Sequence, residues 1–236
     1  EMTRQAFDLS EQLGEPVLLR TTTRINHSTA VITLGDIAPP VTRGGFERNP
    51  MRYVTVPAVS RQLHVRLLDN LARAEMLANG SALNFVSGSG RWGVVTSGVS
   101  YAYVTDAISD LGLTERVRVL RLGFSHPLPK DLVRLFLSGC DRALVVEEGE
   151  PVLEEAVKAA AQEGGLTLPI KGKGEAFFSR LSEYDPALVR EKMATFFGVP
   201  GQGGRRGDQA DLPSLPPRPP TLCAGCSHRA TFHAVK

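Results

Sequence analysis

The sequence predicts an α/β protein built on a mostly parallel sheet with helices on both faces. Three observations carry that expectation. Apolar runs at 92–95, 117–121 and 143–146 alternate with segments of helical periodicity, the order that generates parallel strands joined by crossover helices. The runs are short and nearly all apolar, which suits strands covered on both sides. At 236 residues, with 42% hydrophobic and 22% charged side chains, the chain has room for one large core or two ordinary ones.

The elements follow in order. Over 3–13, the spacing of Ala6, Phe7, Leu9 and Leu13 suits an amphipathic helix that Gly14 ends. Val17, Leu18, Leu19 and Arg20 read as a buried strand with a polar carboxyl end at Thr21, Thr22 and Thr23. Residues 33–57, with Pro39-Pro40 and Gly44-Gly45, read as an irregular connection. A helix then runs from a Ser60 cap to about Asn79, with Leu63, Leu67, Leu68, Leu71, Ala74 and Leu77 forming its apolar stripe and Gly80 its stop. Beyond it, strand 92–95, helix 99–111, strand 117–121, helix 130–137, strand 143–146, helix 151–162 and a short strand at 166–170 form the α/β unit, assigned to 88–198. Residues 199–220 hold six prolines and four glycines with few large apolar side chains, the composition of a flexible linker. A new domain is expected from 221.

Composition removes several classes of function. With 27 basic and 25 acidic residues interspersed, the net charge is +2, so neither a nucleic acid nor an acidic membrane is an expected partner. No apolar run approaches the roughly 18 residues that span a bilayer, and the polar, amphipathic opening stretch is not expected to be a signal peptide. Three cysteines, one isolated, make no disulfide framework and point to a reducing, cytoplasmic setting. Both ends read as interrupted: Glu1 is no initiator, and 230–236 are the first turns of a helix that stops before it can pack. The chain is therefore expected to be the middle of something longer.

Among the motifs, Cys223-Ala224-Gly225-Cys226 carries the most chemistry. Two thiolates three positions apart can face one metal or cluster, and Gly225 lets the backbone bend toward the sulfurs. A redox dithiol would call for a preceding strand rather than a Pro-rich linker, and an inert pair is the remaining reading. His228 is as suited to packing as to ligation. Gly88-Ser89-Gly90-Arg91-Trp92-Gly93 matches the dinucleotide fingerprint by letters alone, because its glycines lead into a strand instead of a helix. Thr96-Ser97-Gly98 lies at a strand-to-helix turn and suits an anion or a plain turn. Glu147-Glu148 ends a strand, and helix-capping charge is the preferred reading over catalysis. His126, in a proline-bounded turn, reads as structural. Arg20, Thr21 and Arg24, with His27 and Ser28 nearby, concentrate donors that suit either a carboxylate or phosphate substrate or a domain junction.

Taken in order, these segments resemble the large (alpha) subunit of indolepyruvate ferredoxin oxidoreductases, thiamine-dependent 2-oxoacid:ferredoxin oxidoreductases. The likeness rests on residues 16–24 with His27-Ser28, on 93–101, on Pro127-Leu128-Pro129, on Val145-Val146-Glu147-Glu148 with Pro151 and Glu154, and on Leu222-Cys223-Ala224-Gly225-Cys226 with His228-Arg229. It implies the end of a thiamine pyrimidine-binding domain at 1–35, a connection with a long helix at 36–87, and a transketolase C-terminal-like domain at 88–198. The linker 199–220 and the start of a diphosphate-binding domain at 221–236 would follow.

The activity so implied is CoA- and ferredoxin-dependent oxidative decarboxylation of an aryl 2-oxo acid, indolepyruvate to indoleacetyl-CoA. Thiamine diphosphate with Mg2+ and [4Fe-4S] clusters would be the cofactors. A small (beta) subunit, ferredoxin and coenzyme A would be the partners. By the same resemblance Cys223 and Cys226 would be two of four cluster ligands, with Gly225, His228 and Arg229 beside them. The catalytic carboxylate would precede Glu1 and the metal–diphosphate motif would follow Lys236, so the piece alone is expected to be inactive. A sister enzyme using another 2-oxo acid, or a non-catalytic assembly module with a zinc-binding tail, stands as the alternative.

Overall fold

The computed structural model describes residues 2–37, 48–201, 216, 222 and 224–236, and divides them into two units, 1–202 and 203–236. In the first unit, helices α1 (Met2–Leu13), α2 (Thr23–Asn26), α3 (Pro50–Tyr53) and α4 (Pro57–Asn79) precede the sheet. The sheet region comprises β1 (Asn84–Ser87), β2 (Trp92–Ser97), α5 (Ser100–Asp110), β3 (Val117–Leu122), α6 (Lys130–Ser138), β4 (Arg142–Val146), α7 (Val152–Glu163), β5 (Ile170–Lys171) and α8 (Pro186–Phe197). In the second unit lies α9 (His228–Val235).

The five strands run in the order β1-β3-β2-β4-β5, and β3, β2, β4 and β5 are parallel. Every residue from Gly93 to Thr96 is buried, as are Ala143 to Val146, because helices cover both faces. On one face α5 and α8 pack Val104, Ala107, Val189 and Met193 against Val94, Leu144 and Val146. On the other, α6 and α7 pack Val133, Phe136, Val157 and Ala160 against Val95, Leu120 and Val145. The expected α/β class is what the chain adopts.

Helix ends are closed in two ways. Gly14, at φ +67°, ends α1 as expected, its N–H bonding the Ser10 carbonyl at 2.8 Å. Helices α6 and α7 follow prolines that supply no capping side chain, so the cap comes from elsewhere. Asn79 Oδ1, at the end of α4, accepts from Leu132 N at 3.0 Å. Glu147, at the end of β4, accepts from Leu153 N and Glu154 N, both at 2.8 Å.

Several expectations change. Residues 17–20 form no strand and pair with no strand described here, and Leu18 is 94% exposed. An apolar run becomes a strand only where a neighbour takes its backbone hydrogen bonds. Helix α4 starts at Pro57, before Ser60, whose hydroxyl donates back to the Pro57 carbonyl at 3.2 Å instead of capping. Its leucine stripe is only partly covered, with Leu67, Leu68 and Leu71 exposed while Val59, Asn70, Ala74 and Ala78 are buried. The strand expected at 166–170 shrinks to Ile170–Lys171. Strand β1, antiparallel to β3, and helix α8 are elements the sequence reading did not separate. Within 33–57, residues 38–47 lie outside those described, as does nearly all of the linker 199–220.

Candidate functional site

From β2 the chain crosses through α5 to β3 on one side, and from β3 through α6 to β4 on the other. The carboxyl ends of β2 and β4 therefore flank the point where the strand order reverses, the place where open α/β sheets bind ligands. Thr96-Ser97 and Glu147-Glu148, both singled out in the sequence, meet here because β2 and β4 are adjacent and in register, Thr96 opposite Val146.

The side chains of Thr96, Glu147 and Glu148 are engaged by the protein itself. The Thr96 hydroxyl, on a fully buried residue, donates to the Val146 carbonyl at 2.8 Å and ties the two strand ends together. Glu147 caps α7, so the helix-capping reading holds for it, and Glu148 Oε1 accepts from Tyr184 N at 2.9 Å. Beside them lies Lys173, 6% exposed. Its ammonium donates to the Glu147 carbonyl at 2.6 Å, to the Ser179 carbonyl at 3.1 Å and to the Tyr184 hydroxyl. That hydroxyl donates in turn to the Ser179 carbonyl at 2.7 Å.

Burial sets the proton affinities of this cluster. It pushes the Glu147 carboxyl up against the opposing pull of two peptide N–H groups and the Lys173 charge. It pulls the Lys173 ammonium down and pushes the Tyr184 phenol up. Glu154, 2% exposed, is also desolvated, yet Lys158 and the Lys173 N–H outweigh burial and hold its carboxyl below the usual range. Each ionic group has a partner, and none is left aimed at open space. This is the arrangement of a structural lock.

Arg24 belongs to the same neighbourhood. Thr22 caps the single turn of α2, and from it the Arg24 guanidinium donates to the Tyr103 hydroxyl, to the Tyr184 carbonyl at 3.0 Å and to Glu183 Oε2 at 2.7 Å. Arg24 thus bridges α2, α5 and the segment before α8. Arg20 and Thr21 are exposed and are not drawn into the cluster. Sequence reasoning missed Lys173 and Tyr184, and no signal marked them: neither stands in a motif, and only chain folding buries them together.

A separate recess of about 820 Å3 lies between α1, α4 and the loops 80–83 and 123–127. Its wall is largely apolar, including Leu13, Leu67, Ala74 and Phe124, with His126 among the lining residues. Glu15 also lines it, but Asn70 Nδ2 donates to the Glu15 carboxylate at 2.8 Å, so that carboxylate is already engaged. The Gly88–Gly93 stretch is no nucleotide cradle either. A Cβ at Gly90 would stand 1.9 Å from the Arg116 carbonyl, so this glycine serves close strand packing.

In the second unit, Gly225 at φ +75° turns the chain before α9, and Cys226 Sγ stands 3.3 Å from His228 Nδ1. Arg229 is exposed on the first turn of that helix. Cys223 lies outside the described residues, so the four-residue pair is not seen as a pair. A thiol and an imidazole side by side are the donor types that metals and iron–sulfur clusters take.

No protein-family model matches the chain. Curated relatives do, over its whole length. It is 41% identical over 239 residues to "Indolepyruvate oxidoreductase subunit IorA" of Methanothermobacter thermautotrophicus, and 36% identical over 247 residues to the subunit of the same name in Pyrococcus horikoshii. The Archaeoglobus fulgidus subunit is 36% identical over 242 residues. The chain spans 38% of the length of each of these relatives. Among solved structures, a 2-oxoglutarate:ferredoxin oxidoreductase from Magnetococcus marinus superposes with a TM-score of 0.44 at 17% identity, covering 79% of this chain and 29% of that one. A split-gene transketolase gives 0.35 at 19%, covering 46% and 37%. Both superpositions are partial, and the fold rests on the chain's own topology.

Proposed function

The chain is related along its whole length to part of the IorA subunit of indolepyruvate oxidoreductases, and from that premise we propose that it is the scaffold portion of such an enzyme. The activity of the whole would be oxidative decarboxylation of an aryl 2-oxo acid, indolepyruvate in the first instance, with coenzyme A as acyl acceptor and ferredoxin as electron acceptor. The observation that carries this reading is the 36–41% identity sustained from end to end with relatives of one name. A smaller second subunit would complete the enzyme, and the cytoplasm is the compartment proposed for it. No described helix is long and apolar enough to cross a membrane.

The cofactors divide between what these residues fit and what they do not. Cys226, with His228 beside it, has the donor chemistry of a cluster or metal ligand, and Cys223 is its proposed companion. A [4Fe-4S] cluster held there would carry single electrons toward ferredoxin. For thiamine diphosphate with Mg2+ these residues offer less. The turn that most suits an anion, Thr96-Ser97-Gly98, has its Thr96 hydroxyl committed to Val146. The thiamine site is therefore assigned to other parts of the parent protein, and this chain's task is to hold domains in place. The boundaries 1–35, 36–87, 88–198, 199–220 and 221–236 are proposed for those domains.

The test uses the parent protein, purified without oxygen with its partner subunit. Iron and sulfide together with thiamine-dependent reduction of a viologen dye by indolepyruvate are expected. Cys226→Ala should lower the iron content while leaving the sheet domain folded. Zinc in place of iron, with no dye reduction, would discard the oxidoreductase reading in favour of an assembly module with a metal-bound tail.

A further inference from the structure

The loop 172–185 between β5 and α8 lies against the carboxyl end of β4 and is fastened at several points. At its start, a Cβ at Gly172 would meet Glu154 Oε2 at 2.5 Å, and Lys173 N donates to that same carboxylate. Farther along, Phe178 and Tyr184 are each 1% exposed and stack with ring centroids 5.2 Å apart. Between these two anchors the tip is open: Leu181 is 79% exposed, Ser182 sits at φ +66°, and Arg180 pairs with Glu150 at the surface. The far foot is held by Glu148, through Tyr184 N, and by Arg24.

Arg24 is the member of this set that comes from a remote part of the chain. One guanidinium joins three elements: α2, which carries it; α5, through the Tyr103 hydroxyl; and the loop, through the Tyr184 carbonyl and the Glu183 carboxylate. A planar fork can serve such divergent acceptors at once, whereas an ammonium is a single point of charge. The segment leading to Arg24 is itself unpaired with any described strand, so its position and the loop's far foot are linked through this side chain.

We propose that loop 172–185 is a strap over the carboxyl end of β4 and that Arg24 is its latch, coupling the placement of residues 16–28 to the strap's closure. Releasing Arg24 leaves the far foot on the single Glu148 bond, which then gives way. Tyr184 then leaves the Lys173 ammonium, and the polar cluster beside β4 opens to solvent. The hinge lies at the Gly172 end, where Glu154 keeps its grip. Arg24 is thus a positioning residue that acts on the cluster through Tyr184.

Hydrogen exchange followed by mass spectrometry on the full chain tests this, with trypsin cleavage after Arg180 as a second readout. Arg24→Ala should raise exchange across 178–185, and cleavage after Arg180, by about tenfold, while β2 and β4 stay protected. Arg24→Lys should fall between, since one donor point is kept. Arg91→Ala, which removes the exposed Arg91–Asp141 pair, is the control and should leave the strap unchanged. Unchanged exchange at 178–185 in Arg24→Ala would overturn the proposal. So would an equal rise in β2 and β4, which would make Arg24 a general stabiliser.

Discussion

Lys173 stands in the chain as an unremarked lysine between two glycines, yet it is among the most constrained charges in the sheet domain. Its three acceptors are two carbonyls and a phenol; in Lys173→Met the Glu147 carbonyl and the phenol lose this donor, and the Ser179 carbonyl keeps only the Tyr184 hydroxyl. That variant should lose about 1.5–3 kcal/mol, read as a lower urea midpoint with unchanged slope. Glu154 gives a pH signature. Burial raises its proton affinity, but Lys158 and the Lys173 N–H bring the net value below the ordinary 4.5. The stability it contributes is therefore full above 4.5 and is lost as the pH falls through the lower folded value. Glu154→Gln should be less stable than the parent chain at neutral pH, and the gap should close on acidification, measured by denaturant titration across pH. Cys140 behaves oppositely to a reactive thiol. Burial lifts it to about 11 although Arg118 and Arg91 pull it down. Alkylation by iodoacetamide at about pH 8 should spare Cys140 in the folded chain and modify it only in denaturant.

At the scale of elements, strands and helices in this protein are completed by residues outside them. Asn84 opens β1, accepts from Gly123 N and Phe124 N at 2.9 Å, and donates to the Ala78 and Phe124 carbonyls at 2.9 Å. It fastens the antiparallel edge strand to the end of α4 and to the loop after β3. Glu147 and Asn79 cap helices that their own prolines leave uncapped. Close strand packing at the amino end depends on a missing side chain: Gly90→Ala would drive a Cβ into the Arg116–Val117 backbone. The expected cost is about 1–3 kcal/mol, visible as a lowered thermal midpoint, since backbone cannot swing aside as a flexible side chain can.

For the molecule as a whole, the two faces of the sheet are filled while α4 and the residues before it are not. Leu67, Leu68, Leu71 and Met76 of α4 are exposed, together with Leu18 and Ile32. A chain that shows this much apolar surface by itself should bind a hydrophobic dye such as ANS, and Leu68→Glu should weaken the signal. At the β2–β4 crevice, Thr96, Glu147, Glu148 and Lys173 all bond within the protein, which ties the strand ends to α7 and to the loop before α8.

Much of this was legible in the letters. The alternation of short apolar runs with helical spacing determined the parallel sheet and its two covered faces, because periodicity and burial are local consequences of side-chain order. The order of motifs pointed to the same enzymes whose subunits match the chain from end to end. Only the tertiary structure decided the rest. Val17–Arg20 has the letters of a strand but no neighbour to pair with among the described residues, and pairing is a property of two segments. Glu147 admitted two readings, and what settled it was which N–H groups came within 3.0 Å. Lys173 and Tyr184 could not be singled out at all. A lysine becomes a lock only when remote carbonyls close around it, and no spacing along the chain encodes that.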